Sequence, residues 1–208
     1  MRNLAKTATL LEDAHPAPWI RSRSLVESVD FQRLDASSAL DPRRRVEMGQ
    51  FMTPPGVARL MASMFQRRRG SIQLLDAGAG IGSLSAAWID ELCARKERPD
   101  AVTIVAYEID PGLALRLRAT MDVCRAHCEA AGIAFASEIR REDFIIAGVN
   151  ADRALLVDPV VESFDCAILN PPYRKILAGS KTHGLLKSAH LDTSNLYTAF
   201  LSIVVRML

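Results

Sequence analysis

Cysteine is scarce in this chain: four residues, Cys93, Cys124, Cys128 and Cys166, with no CxxC pair. A disulfide scaffold is therefore not expected. Cys124 and Cys128 flank His127 on what reads as a helix, yet no second ligand pair is spaced to complete a tetrahedral metal set. Reduced thiols in a cytoplasmic protein are the expectation. Long apolar runs are also missing. Met1 to Pro18 has no apolar core of signal-peptide length, and no uncharged run approaches about 20 residues, so neither secretion nor membrane insertion is indicated. An excess of one charge is lacking too: 26 Lys and Arg against 24 Asp and Glu leave a formal +2. That balance permits nucleic-acid binding without arguing for it, so any such argument rests on where the basic residues lie.

What is present suits one α/β domain. The chain has 208 residues, 49% of them apolar and 24% charged, enough for a real core but short for two full domains. Residues 1–23 read as a loosely attached arm. Leu25, Val26, Val29 and Leu34 then recur at helical spacing, predicting an amphipathic helix over 24–39 that Asp41-Pro42 ends or restarts. Residues 1–42 form one unit in this reading, an arm with its helix, and 43–208 the main domain.

The main domain alternates strand and helix. Gly49-Gln50-Phe51-Met52-Thr53-Pro54 leads into a helix from Gly56 to Arg68, with Thr53 as its N-cap and Pro54 at the first helical position. Its N-terminus offers unpaired N–H groups and positive potential, which suit a carboxylate. Ile72–Leu75 reads as a strand, running into Asp76-Ala77-Gly78-Ala79-Gly80-Ile81-Gly82 and a helix over 83–95 with Leu84, Trp88, Ile89 and Leu92 on one face. A second strand, Val102–Tyr107, closes in Glu108-Ile109-Asp110-Pro111. The helix Leu113–Ala131 that follows carries Leu113, Leu117, Met121, Cys124 and Cys128 as a core stripe. Phe135–Ile139 is the third strand, ending near Asp143-Phe144. Residues 145–163 show no strong pattern and read as a connection. A fourth strand, Phe164–Leu169, runs into Asn170-Pro171-Pro172-Tyr173. The stretch to Ser194, polar and glycine-containing, reads as a flexible loop or a lid whose Lys175, Lys181 and Lys187 contact phosphates. A last helix begins at Asn195.

Strand, glycine-rich turn, helix is the opening unit of a nucleotide-binding parallel sheet. The glycines stand at 78, 80 and 82 behind an acidic residue, unlike the G-x-G-x-x-G of a dinucleotide site. Asp76 beside the turn would repel a pyrophosphate but can engage the ammonium of a methionine moiety. Glu108, about 30 residues beyond the turn at a strand end, is placed to accept both hydroxyls of a ribose, with Ile109 against the base. Asn170 is the other focus. Two consecutive prolines fix φ and keep the preceding residue extended, so Asn170 is aimed from a stiff turn. Its carboxamide oxygen and the Pro171 carbonyl are two acceptors that can converge on an amine with two N–H donors, while Tyr173 covers the face of a flat heterocycle. Methyl transfer to an exocyclic base amine has those needs. Accepting both N–H bonds draws the nitrogen towards tetrahedral geometry, and no separate strong base is required.

The tetrapeptide Asn170–Tyr173 resembles the signature loop of amino-group methyltransferases that use S-adenosylmethionine. Gly-Gln-Phe-x-Thr-Pro, Asp-x-Gly-x-Gly-x-Gly, Glu108, Asp143-Phe144, Asn-Pro-Pro-Tyr and the Asn195–Phe200 helix, in that order over residues 43–208, are similar to the γ class of N6-adenine DNA methyltransferases, in particular the Eco57I-like restriction-modification methylases. The resemblance implies a Rossmann-like methyltransferase sheet with helices on both faces, and S-adenosylmethionine as cofactor. It implies Asn170, Pro171, Pro172 and Tyr173 as the catalytic loop. It also implies a cofactor site made by Phe51, Thr53, Pro54, Asp76, Gly78, Gly80, Gly82, Glu108, Ile109, Asp143, Phe144 and Asn170, with Asp143 accepting from the adenine amino group. The partner implied is DNA, with the base flipped out of the duplex because its N6 is not otherwise reachable. The family has seven strands and a separate target-recognition domain, whereas four strands are counted here. The expectation is therefore a sheet incomplete at its C-terminus, completed by a missing half or a second chain. Two other readings stay open: an RNA or protein-glutamine N-methyltransferase with the same loop, and a non-catalytic cofactor-binding fragment.

Overall fold

A computed structural model describes residues 24–39, 52–66, 69–155 and 163–208. Its elements run α1 (Leu25–Ala39), α2 (Pro55–Ser63), β1 (Ser71–Ala77), α3 (Ser83–Ala94), β2 (Ala101–Tyr107), α4 (Pro111–Ala130), β3 (Ala134–Arg140), α5 (Phe144–Leu155), β4 (Cys166–Ile168), α6 (Lys181–Ser188) and α7 (Leu196–Met207). The four strands form one sheet in the order β3-β2-β1-β4, every neighbouring pair parallel. The chain builds outward from β1 to β3 and then returns to place β4 on the other side of β1. That reversal puts a topological switch point at the carboxyl ends of β1 and β4, where open α/β sheets bind ligands.

Strand side chains alternate between two packed layers. Ile72 and Leu74 of β1 and Val102, Ile104 and Ala106 of β2 face one core with α1, α2, α3 and α4. Leu75 and Ala77, with Val105 and Tyr107, face the other with α5, α6 and α7. The near-continuous apolar runs of β1 and β2 follow from this burial on both faces. Leu84, Trp88, Ile89 and Leu92 of α3 are buried as expected, as are Leu113, Leu117, Met121, Cys124 and Cys128 of α4. Among the described residues no helix is long and apolar enough to cross a membrane.

Several expectations are corrected. The segment 145–163 is not a bare connection: Phe144–Leu155 is a helix, started by Asp143, whose Oδ1 accepts the Ile145 N–H at 2.8 Å. Its Gly148 packs directly against Ile203 of α7, so the glycine that weakens the helical pattern is there for close helix approach. The stretch after Tyr173 contains helix α6, capped by Ser180, whose side chain accepts the His183 N–H. Thr53 is not the cap of α2. Pro54 holds that position with no side-chain cap and Pro55 sits inside, because either of two adjacent prolines satisfies the first helical position. The helix ends at Ser63 rather than Arg68. Leu34, assigned to the buried face of α1, is exposed, whereas Leu25, Val26 and Val29 are buried.

Candidate active site

The carboxyl ends of all four strands open on one cleft of about 310 Å³, at the lower end of the size range for small-molecule sites. β1 contributes the glycine turn. Gly80, with φ of 60°, has nothing within 4 Å of the place a Cβ would occupy, so the turn leaves open space there. Gly82 serves packing instead, since a Cβ there would lie 2.8 Å from Leu117 Cδ1. It lets α3 seat against α4 and does not line the cleft.

Glu108 ties this turn to the end of β2. Gly80 N–H donates to Glu108 Oε2 at 2.9 Å, and Asp110 N–H donates to Oε1 at 2.7 Å. The Tyr107 carbonyl accepts from both Gly78 N–H, at 3.0 Å, and Ala79 N–H, at 2.9 Å. Glu108 is buried, and desolvation raises its carboxyl to about 6 against the opposing pull of these N–H donors. Each carboxylate oxygen retains a second lone pair for a ligand hydroxyl.

Asp76 lies deeper than its sequence position suggests. It is fully buried, its Oδ2 accepts the Ser85 hydroxyl at 2.6 Å, and it is not part of the cleft wall. Its Oδ1 has no hydrogen-bond partner. Desolvation, with Glu108 nearby, raises the carboxyl to about 7. A cation bound above it would hold the ionised form.

The remaining walls come from β3, β4 and α7. Asp143 and Phe144 both line the cleft. The Phe144 ring sits edge-on to Tyr107, centroids 5.1 Å apart, and tilted on Phe200, 4.9 Å apart. Ile109, more than half exposed, lines the cleft beside Glu108. Asn170 lines it from the β4 exit, and its Nδ2 donates to the buried Thr53 Oγ1 at 3.0 Å. The element ahead of the glycine turn and the Asn-Pro-Pro loop therefore meet.

Of the residues singled out in the sequence, Thr53, Gly78, Gly80, Glu108, Ile109, Asp143, Phe144, Asn170 and Pro172 line this one cleft. Phe51 lies outside the described residues. Pro54, Asp76, Gly82, Pro171 and Tyr173 are not on the wall. Tyr173 is exposed and stacks on Tyr197 of α7, centroids 5.5 Å apart and planes 25° off parallel. Sequence reasoning missed Met52, Glu142, Arg174, Thr182, Leu196 and Phe200, which also line it. Phe200 alone had a usable signal, since it sits four residues past Leu196 on the inward face of a capped helix.

Comparison with known proteins agrees with this arrangement. Residues 39–205 match the N-6 DNA Methylase family. Over 180 residues the chain is 35% identical to type II methyltransferase M.PstI of Providencia stuartii, covering 86% of this chain and 34% of that protein. Over 187 residues it is 35% identical to type II methyltransferase M.BsuBI of Bacillus subtilis, covering 88% and 36%. The chain thus spans about a third of the length of these relatives. A crystal structure described as a class I S-adenosylmethionine-dependent methyltransferase, from Listeria monocytogenes, superposes with a TM-score of 0.55 at 13% identity, over 88% of this chain and 49% of that one. This likeness shows the fold, a Rossmann-like α/β sheet. Because the family match runs unbroken across the glycine turn, Glu108, Asp143 and the Asn170 loop, the chain belongs to the N-6 DNA Methylase family.

Proposed function

We propose that this chain carries the cofactor-binding and catalytic part of an enzyme that transfers a methyl group from S-adenosylmethionine to the N6 amine of adenine in DNA, within a restriction-modification or phage-defence system. The observation that carries the reading is Asn170, held on the cleft wall with its amide NH2 on Thr53 at 3.0 Å. The carboxamide oxygen is then the atom of this side chain suited to accept from a substrate amine.

The residues present fit the cofactor. A buried Asp76 oxygen without a partner suits an ammonium nearby, directly or through water. Glu108, at the carboxyl end of β2, suits the ribose hydroxyls, and Ile109, Phe144 and Asp143 suit an adenine ring and its amino group. Thr53, Gly78 and Gly80 complete the wall. S-adenosylmethionine supplies an electrophilic methyl carried on a sulfonium. Asn170 and the Pro171 carbonyl would accept the two N–H bonds of the target amine and localise its lone pair. Pro172 keeps that loop stiff, and Tyr173 offers a stacking face to the base. Residues 43–208 form the methyltransferase domain in this reading. Target-sequence recognition lies outside the matched span, in further polypeptide or a second chain.

The RNA and protein-glutamine alternatives share the loop chemistry, but the description of the matched family favours DNA. Labelled methyl transfer offered to DNA, RNA and protein in parallel tests this. The expected outcome is label in DNA, recovered after digestion as N6-methyl-deoxyadenosine. Label confined to RNA or protein overturns it.

A further inference from the structure

Resting on that reading, we infer that Arg174 grips a backbone phosphate of the DNA beside the flipped adenine. Among the described residues that line the cleft, Glu108, Glu142 and Asp143 are acidic and Arg174 is the one Lys or Arg. Arg174 is exposed, and among the described residues its guanidinium makes no hydrogen bond or ion pair. A cation on the wall of a binding cleft, with no carboxylate of its own, is placed for an anion that arrives with a ligand.

The backbone that carries Arg174 is tied on both sides. Its N–H donates to the Pro172 carbonyl at 3.1 Å, and its carbonyl accepts the Leu196 N–H at 2.9 Å. Lys175 and Asn195 form an antiparallel bridge next to it, and the buried Ile176 donates its N–H to the Ser194 carbonyl at 2.7 Å. Arg174 therefore projects from a strip fastened to the start of α7, on the same segment as Asn170. Local charge points the same way. From Cys166 to Leu191 the chain holds Arg174, Lys175, Lys181 and Lys187 and no Asp or Glu, although the chain as a whole is nearly balanced. All four cations are exposed, and of the four only Arg174 lines the cleft.

Two kinds of anion come to this cleft in the methyltransferase reading: the carboxylate of S-adenosylmethionine and the phosphodiesters that flank the target adenine. The observations favour the phosphodiester. The cofactor carries a sulfonium and an ammonium against one carboxylate, so its net positive charge suits the acids on the wall. Arg174 belongs instead to the segment assigned to the substrate. A base that leaves the stack takes its sugar and flanking phosphates off the regular path of the duplex, and a cation beside the pocket holds that backbone in place. Arginine suits the task, because its planar fork can donate to two phosphate oxygens at once. The three lysines of the same segment add charge for neighbouring phosphates.

The test uses the full chain as wild type, Arg174→Gln, Arg174→Lys and a charge-matched control, Lys96→Gln. Lys96 is exposed between α3 and β2, at the amino end of the sheet, opposite the cleft. Binding to a duplex containing unmethylated adenine is followed by fluorescence anisotropy from about 50 to about 200 mM salt. Arg174→Gln is expected to weaken DNA binding about tenfold, the low end for one hydrogen bond to a charged group. It is also expected to flatten the slope of log affinity against log salt by about 0.9, the contribution of one phosphate contact. Arg174→Lys keeps the charge and regains most of that slope, and Lys96→Gln changes neither quantity. Affinity for S-adenosylmethionine is unchanged in all the variants, as expected of a contact made to DNA alone. Unchanged DNA affinity and slope in Arg174→Gln, an equal loss in Lys96→Gln, or a wild-type chain without DNA affinity at the lower salt overturns the assignment. So does a loss of cofactor affinity that matches the loss for DNA, which places Arg174 on the cofactor carboxylate. A wild-type chain that holds DNA through Arg174 and transfers no methyl group to it refutes the methyltransferase reading instead.

Discussion

Asn170 Nδ2 donates to Thr53 Oγ1 at 3.0 Å, joining residues 117 apart in the chain. The bond links the segment ahead of the glycine turn to the loop after β4, and in the proposed function it sets which end of the Asn170 amide would meet a substrate amine. Thr53→Val keeps the volume and removes the acceptor that Asn170 Nδ2 uses. Methyl transfer is expected to fall about tenfold, the upper end for one lost hydrogen bond, and Thr53→Ser restores most of it. Steady-state kinetics on the three proteins checks this. Equal rates for Val and wild type would show that the bond orients nothing.

Gly80 and Gly82 separate binding from stability. Both have positive φ, 60° and 85°, so an Ala at either carries a backbone cost of about 1 kcal/mol. At Gly82 the new methyl also meets Leu117, Thr120 and Met121 of α4, adding overpacking of about 1–3 kcal/mol. Urea unfolding is expected to show Gly82→Ala as the less stable variant. Calorimetry is expected to show Gly80→Ala as the poorer cofactor binder, because its methyl enters the cleft and costs the core nothing.

Asp76 and Glu108 predict a pH dependence with a definite sign. Their carboxyls are raised to about 7 and about 6 in the folded chain, above the ordinary values of an unfolded chain. The folded state therefore holds protons that the unfolded state releases, and the stability from these groups is fully present below about pH 4. It is lost as pH rises through about 6 and 7. Thermal unfolding of the ligand-free chain is expected to show this component of the pH slope reduced in Glu108→Gln. Cofactor affinity has the opposite sign. An ammonium favours ionised Asp76 and donating ribose hydroxyls favour ionised Glu108, so binding should strengthen from pH 5 to 8, a trend that calorimetry across the range would show or exclude.

Much of this was legible in the sequence, for reasons that differ by element. Strands β1 and β2 are apolar runs, and burial on both faces leaves little else they can be. The cleft residues Glu108, Asp143 and Asn170 were legible because chemistry at strand ends follows from the topology. Helix α5 was not, because Gly148 interrupts a pattern whose reason, close contact with Ile203, exists only in three dimensions. Asp76 was placed at the right turn, but its full burial was not legible. Its contact with Ser85 depends on how α3 packs, which spacing does not encode. Tyr197 lies in the Asn195–Phe200 helix that carried the resemblance, but its stacking on Tyr173 is not encoded by spacing.

The cleft as the S-adenosylmethionine site of this chain is the claim on which the rest depends, and calorimetry with the wild-type chain and Glu108→Ala tests it most directly. Saturable one-to-one binding is predicted, weakened at least about tenfold by the substitution, the loss expected when a charged hydrogen-bonding group is removed. Circular dichroism should confirm that both proteins are folded. A folded wild-type chain that gives no binding heat at any temperature tried, or binding indifferent to Glu108, would contradict it.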